Sequence, residues 1–249
     1  MIFMKIFSFL SISVAAITMK EMVNLADESV QHNKQIWYVD INASKAVAMQ
    51  SDEELFDCLK SCDIVGADGK SIVWASRFLG KPLPERIAGI DIMENLVSLA
   101  HQKGYKCFFF GAKEDVVRKL TDVYSRKYSP DVIAGYRNGY YQPDDENEIA
   151  KQIVNSQANI LFVATSSPKQ EMFVYNHRNN LTTVNFMMGV GGSFDVIAGL
   201  RKRAPVWMQK MGLEWVVRLI QEPRRMWKRY LIGNFLFFKL IMIEKIKKS

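Results

Sequence analysis

Asp68 stands in Ala67-Asp68-Gly69, directly behind an apolar run, 63–67, that reads as a short buried strand. In open α/β sheets ligands gather beyond the carboxyl ends of strands. A carboxylate there can take the proton from an attacking hydroxyl, as a general base; an isolated Asp-Gly equally suits a plain turn or a helix cap. Asn42 follows the β-rich run 35–41 in the same way and would add an amide to the same crevice, or simply turn the chain. Pro84-Glu-Arg-Ile-Ala-Gly-Ile-Asp91 supplies Arg86, a cation for a phosphate, and Asp91, which suits a helix N-cap. Ser166-Ser-Pro-Lys-Gln-Glu171 sets hydroxyls, Gln170 and Glu171 at another strand-to-helix junction, where free N–H groups attract anions.

The densest chemistry lies in Met188-Gly-Val-Gly-Gly-Ser-Phe-Asp195. Gly189, Gly191 and Gly192 allow a ligand close to the backbone, with Gly191 and Gly192 also open to positive φ, and Asp195 adds a carboxylate. Arg201, Lys202 and Arg203 follow within a few residues, cations of the kind a diphosphate requires. Nowhere do two aspartates stand two residues apart, so the Asp-x-Asp metal clasp of many nucleotide-sugar transferases is missing and no metal ligands or cofactor are assigned. Arginines and helix dipoles would then neutralise a leaving group. Arg137-Asn-Gly-Tyr-Tyr141 offers aromatics that either stack on a base or sugar or pack inward.

The elements that must position these groups alternate. Strand-like runs fall at 35–41, 63–67, 106–110, 132–134, 159–164 and 183–188. Helix-like runs fall between them, at 51–62 (behind a Ser51…Glu54 capping box), 90–103, 114–127, 146–156 and 169–179. Near-continuous apolar strands alternating with helices predict an α/β domain with a largely parallel, Rossmann-like sheet over residues 1–200. Residues 6–17, after Lys5, have the look of a short signal peptide. A strand running into a helix capped by Thr18 and Glu21 accounts for them without cleavage. No run of ~20 apolar residues suits a membrane-spanning helix.

Beyond Pro205 the pattern is helical only, which sets off residues 201–249 as a basic appendage. It holds 13 Lys/Arg against 3 Asp/Glu, while residues 1–200 hold 20 against 23, so the whole excess of +7 resides in the tail. Met208, Met211, Trp215, Val216, Leu219 and Ile220 form an apolar stripe that stops at Pro223. In the next segment Arg224, Arg225, Lys228 and Arg229 fall on one helical arc, opposite Met226, Trp227, Tyr230 and Leu231. This predicts either a core-packing helix with a solvated face or an amphipathic element on an anionic membrane, the second being favoured. The tail shows no groove-reading or base-stacking module, so nucleic acid is not an expected partner. Three cysteines, Cys58, Cys62 and Cys107, close no disulfide framework and suit a reducing compartment.

Taken in order, Ala67–Gly69, Leu79–Asp91, Ser167–Glu171, Gly189–Asp195, Lys202–Pro205, Glu214-Trp215 with Arg218, and Glu222–Arg225 with Arg229-Tyr230 resemble the WecG/TagA/CpsF glycosyltransferases over about residues 35–231. The resemblance implies a Rossmann-like core whose C-terminal appendage completes the site. It also implies transfer of a sugar, N-acetylmannosamine-type or another hexose, from a UDP-sugar to a polyprenyl-diphosphate-linked sugar. That reaction serves teichoic-acid, common-antigen or capsular polysaccharide synthesis, at the cytoplasmic face of the cell membrane. By position Asp68 becomes the base. Gly189–Gly192, Asp195, Gln170 and Glu171 become the donor pocket, and Arg218, Arg224, Arg225 and Arg229 the arginines near the diphosphates. The chain departs from the pattern at Asp40, where relatives carry Thr two residues before Asn42, and at Ser166, where glycine is common. Asp40 brings a second carboxylate towards Asp68, so either could act as base.

The reading that follows is an inverting, metal-independent glycosyltransferase, with a homo-oligomer compatible with the sequence. Two alternatives stand beside it. One is a non-catalytic, membrane-associated protein that binds nucleotide sugars. The other is a nucleotide-sugar epimerase or dehydrogenase, against which the lack of an early Gly-x-Gly-x-x-Gly counts.

Overall fold

A computed structural model describes residues 5–247, apart from the side chain of Arg225. It opens with a hairpin, β1 (Ile6–Phe9) and β2 (Ile12–Ala15), turned by Leu10 and Ser11 at positive φ. The sequence predicts a single strand here; two left-handed residues fold it back on itself instead. Phe7, Phe9, Ile12 and Val14 are buried, which builds the segment into the sheet. Thr18 then caps α1 (Met19–Gln31) with the full reciprocal box: its hydroxyl accepts from the Glu21 N–H and the Glu21 carboxylate accepts from the Thr18 N–H.

The alternating core follows: β3 (Ile36–Ile41), α2 (Ala43–Ala48), α3 (Glu53–Ser61), β4 (Ile64–Ala67), α4 (Lys70–Phe78), α5 (Gly89–Lys103), β5 (Cys107–Gly111), α6 (Glu114–Lys127), β6 (Ile133–Arg137), α7 (Glu146–Asn155), β7 (Ile160–Ala164), α8 (Lys169–His177), β8 (Phe186–Gly189) and α9 (Ser193–Ile197). The cap of α3 is Asp52, which accepts from the Leu55 N–H, and not Ser51, whose hydroxyl turns back to the Ala48 carbonyl. Asp91 is no cap either. Helix α5 begins at Gly89 behind Ala88, leaving Asp91 in the first turn.

The eight strands form one sheet in the order β1-β2-β4-β3-β8-β7-β5-β6, parallel except for the opening hairpin. Because strand side chains alternate, Phe108 and Phe110 enter one core while Cys107 and Phe109 enter the other. Helices α2, α3, α4, α7 and α8 cover the first face, and α1, α5, α6 and α9 cover the second. The connection after β5 runs outward to β6 and the one after β7 runs back to β8, so the order switches between β5 and β7. Gly111 is needed at that switch: it adopts φ +134, and a Cβ there would meet the backbone of Ala164.

The tail comprises α10 (Val206–Met211), α11 (Glu214–Gln221), α12 (Pro223–Trp227), a π-helical turn over Lys228–Ile232 and α13 (Gly233–Lys247). The single stripe expected over 208–220 is two helices, because Gly212 turns the chain at φ +76. Helix α13 lies along α2. It places Phe237 and Ile241 in the first core, with the Phe237 ring 6.2 Å from that of Phe9.

Candidate active site

The parallel strands end on one edge of the sheet, and the ends of β3, β4, β5, β7 and β8 open into a cleft of about 740 Å³. Asp40, Asn42, Asp68, Arg86, Gln170, Gly189, Gly191, Gly192, Asp195 and Arg203 all line it. Arg218 and Arg229 reach in from the tail. The structure thus gathers residues spread over nearly two hundred positions of sequence.

Asp68 sits immediately after β4. Arg86 holds it by donating from Nε to the Asp68 carbonyl at 3.0 Å, while its Nη2 lies 3.5 Å from Oδ1. The far side of the Arg86 guanidinium pairs with Glu214 of α11. About a quarter of the Asp68 side chain (26%) faces the cleft. Protein surrounds it otherwise, and this burial, followed by the charge of Asp40, raises its carboxyl from the usual 3.8 to about 6; Arg86 and Arg218 pull the other way. A carboxylate that still ionises at neutral pH but holds protons more tightly than usual is what a general base needs. Arg218 keeps surface open to the cleft while bonding Tyr230 and feeling the charges of Asp68 and Glu214.

Asp40 is committed differently. Its carbonyl and Oδ1 accept from Lys45 Nζ at 2.7 and 3.0 Å, and Oδ2 lies 3.5 Å from the Asn42 amide. Lys45 is itself buried and donates at 2.9 Å to Glu171, which also accepts from Gln170 Nε2 at 2.8 Å. The Gln170 carbonyl in turn accepts from the Gly191 N–H at 3.1 Å. One chain of contacts therefore links the end of β3, through α2 and α8, to the glycine loop. Gly189 must be glycine because a Cβ would strike the Gln170 amide, and Gly191 adopts φ +50. Gly192 keeps negative φ; its lack of a Cβ leaves room beside Arg201.

Sequence reasoning missed Lys45, since a lysine is almost never fully buried unless paired. The available signal was the demand of two carboxylates, Asp40 and Glu171, for a cation. Glu171 is buried against Lys45 and Gln170 instead of facing the cleft, and its Oε2 has no hydrogen-bond partner among the described residues. Asp91 and Arg203 meet each other, in a bidentate pair at 2.6 and 2.7 Å. Arg201 pairs with Glu222 at 2.6 Å. The Asp91–Arg203 and Arg86–Glu214 contacts bind the tail to the cleft's rim, while Arg201–Glu222 braces the tail itself. Arg229 donates to the Ser44 hydroxyl at 3.0 Å, Arg224 is exposed, and the Arg225 side chain lies outside the described residues.

The far end of the cleft separates the two aromatics of the Arg137–Tyr141 loop. Tyr140 lines it beside Ala112, Lys113 and Thr165 and is 67% exposed. Tyr141 packs on Phe110 and Phe173 beneath Lys169. Among the described residues, no group of three or more His, Cys, Asp or Glu is placed to hold a metal ion.

A sequence model of the glycosyl transferase WecG/TagA/CpsF family matches residues 7–249. The chain is 39% identical over 209 residues to an N-acetylglucosaminyldiphosphoundecaprenol N-acetyl-beta-D-mannosaminyltransferase of Bacillus subtilis strain 168, covering 84% of this chain and 80% of that protein. The enzymes of the same name from Bacillus spizizenii and Staphylococcus aureus strain MW2 are 36% and 30% identical, with coverage of 81% and 88% of this chain and 77% and 85% of those proteins.

Proposed function

Because this chain belongs to the WecG/TagA/CpsF family and is a glycosyltransferase, we propose that it moves an N-acetylmannosamine-type sugar from UDP to a polyprenyl-diphosphate-linked N-acetylglucosamine. The names of the relatives support the transferred sugar and the acceptor. The observation that carries the mechanism is the raised carboxyl of Asp68, held by Arg86 at the mouth of an arginine-rich cleft.

In this reading the nucleoside lies at the Tyr140 end and the donor diphosphate over the Gly191–Gly192 loop. Asp68 takes the proton of the acceptor hydroxyl, whose oxygen attacks the anomeric carbon from the face opposite UDP. The C–O bond to the β-phosphate breaks, UDP departs with both electrons, and the anomeric centre inverts. Arg86, Arg218 and Arg229 compensate phosphate charge, which lets the reaction proceed without a metal ion. Asp40 is not the base: with Lys45 on its carbonyl and Oδ1, it acts as a fixed negative charge beside Asp68.

The active form lies on the cytoplasmic face of the membrane. The positive excess of residues 201–249 and exposed apolar side chains such as Trp227, Leu231 and Phe235 support a peripheral tail. No helix among the described residues is long and apolar enough to cross a membrane.

The test is transfer to a polyprenyl-diphosphate-N-acetylglucosamine analogue with a panel of UDP-sugars, with and without EDTA. One donor should give a disaccharide-lipid, insensitive to EDTA and reduced about 10²–10⁴-fold by Asp68→Asn. Near wild-type turnover in that variant would remove Asp68 from the role of base.

A further inference from the structure

A second cavity, of about 590 Å³, adjoins the catalytic cleft and differs from it in chemistry. Seven residues line both, among them Asp68, Arg86, Glu214, Arg218 and Arg229, and their side chains form a polar neck, richer in arginine than in carboxylate, between two chambers. Beyond the neck the second chamber runs outward between α4 and α13. Its floor is Phe237 and Ile241, buried in the core at i and i+4 of α13. Its two rails are Trp74 and Phe78 of α4 and Phe238 and Met242 of α13, again each i and i+4 on one helix face.

The rails are unusual for what they leave uncovered. Trp74 is 55% exposed, Phe78 50% and Phe238 62%, although all stand beside a packed core that could have received them. Two apolar rails held apart over an apolar floor make a trough, and water in it forgoes the hydrogen bonding it has in bulk. At the outer part of the trough the Lys245 ammonium lies 5.7 Å over the Phe78 ring. Charge thus marks the inner end with arginines and an outer point with a lysine, while the walls between are hydrocarbon and aromatic. A ligand matching this sequence carries a diphosphate at one end and a linear run of apolar units behind it.

We propose that the trough between α4 and α13 binds the first isoprene units of the polyprenyl diphosphate acceptor, with the diphosphate held at the arginine neck. This rests on the acceptor class proposed above. It adds that chain-length recognition is built into the protein itself and does not depend on the bilayer. The lipid enters along α13, and its sugar passes the neck to reach Asp68. Continuity with the catalytic cleft selects this occupant over a second copy of the chain, which would leave the neck arginines unexplained.

The test uses the full chain in detergent-free solution without vesicles. Farnesyl diphosphate and inorganic diphosphate are titrated by calorimetry. N-acetylglucosamine diphosphates bearing methyl, geranyl and farnesyl groups are compared as acceptors. Farnesyl diphosphate should bind at least about tenfold more tightly than inorganic diphosphate, and KM should fall from methyl to farnesyl acceptor. Trp74→Ser and Phe238→Ser should erase most of both gains. Phe235→Ser, which alters an exposed side chain of the same helix outside the trough, should keep them. These side chains are largely exposed, so their replacement leaves the core intact. Equal binding of farnesyl and inorganic diphosphate, or a gain that survives both trough variants, would overturn the proposal. A gain in binding with no transfer to any acceptor would instead sink the reading of the reaction and leave the trough standing.

Discussion

At the scale of single residues the carboxylates of the cleft are held differently: Lys45 fixes Asp40, Arg203 pairs with Asp91, and burial raises the carboxyl of Asp68. Asp68 raised to about 6 predicts an acid limb near that pH in the kcat/KM profile, with activity lost as the carboxylate takes up a proton below it. Asp40→Asn removes the second cause of the rise, so the limb should move to lower pH while transfer persists. A profile that stays in place would separate the two carboxylates. The same shift bears on stability. The folded state holds the Asp68 proton above the ordinary 3.8, so ionisation costs folding free energy as pH rises from there through about 6. At neutral pH Asp68→Asn should therefore stabilise the fold, by about 1–2 kcal/mol once the side chain's opening to the cleft is discounted, and raise the melting temperature. Activity should fall in the same variant. Lys45→Met, by contrast, leaves two buried carboxylates without their cation and should cost about 3–5 kcal/mol in denaturant titrations. Combining it with Asp40→Asn should recover part of that loss, because one orphaned charge disappears.

At the scale of elements, the site depends on places where a strand end must meet another element closely. Gly66 in β4 packs against the Tyr38 ring of β3, and a Cβ would enter that ring. Gly66→Ala should therefore cost about 1–3 kcal/mol by overpacking, and should loosen Asp68 two residues on. Ordinary capping predicts a smaller effect at α1, where Thr18→Ala should cost about 1 kcal/mol. The strand and helix runs of the core could be read from periodicity, and the helix over Glu114–Lys127 has the expected bounds. The hairpin at Leu10-Ser11 could not, since neither residue type signals positive φ. Nor could the cap at Asp52, where three neighbouring hydroxyl and carboxylate residues compete for the role and only the geometry of the preceding turn decides. The arc of Met226, Trp227, Tyr230 and Leu231 suits either a packed helix or a membrane surface, and the structure divides it: Met226 and Tyr230 are buried, Trp227 and Leu231 exposed, with a π-helical turn over Lys228–Ile232 departing from the 3.6-residue period.

Across the whole molecule, charge and apolar exposure are segregated. The tail's exposed apolar side chains and its cations belong to the same helices, so binding to vesicles rich in anionic lipid should weaken with salt. Arg224→Glu and Lys228→Glu should each lower that affinity by about 1 kcal/mol or more. Co-sedimentation with anionic and neutral vesicles measures this, and equal binding to both would assign attachment to hydrocarbon contact alone. The appendage is tied to the core by ion pairs from Arg86 to Glu214 and from Arg203 to Asp91, as well as by Phe237 and Ile241. Arg201, Arg203, Glu214, Arg218 and Arg229 of the tail line the cleft, and we propose that residues 201–249 act as an appendage whose placement controls catalysis.

The sequence by itself determined the alternation of strands and helices, the carboxyl-edge position of Asp68 and Asn42, the glycine loop and the basic tail, because each is a local pattern of residue types. Tertiary structure alone decided which charges meet. Lys45 was chosen to neutralise Asp40 and Glu171, and Arg203 was paired with Asp91. It also decided that α13 would stand off from α4 and leave a trough. Such outcomes depend on distances between elements far apart in the chain, which no local periodicity encodes.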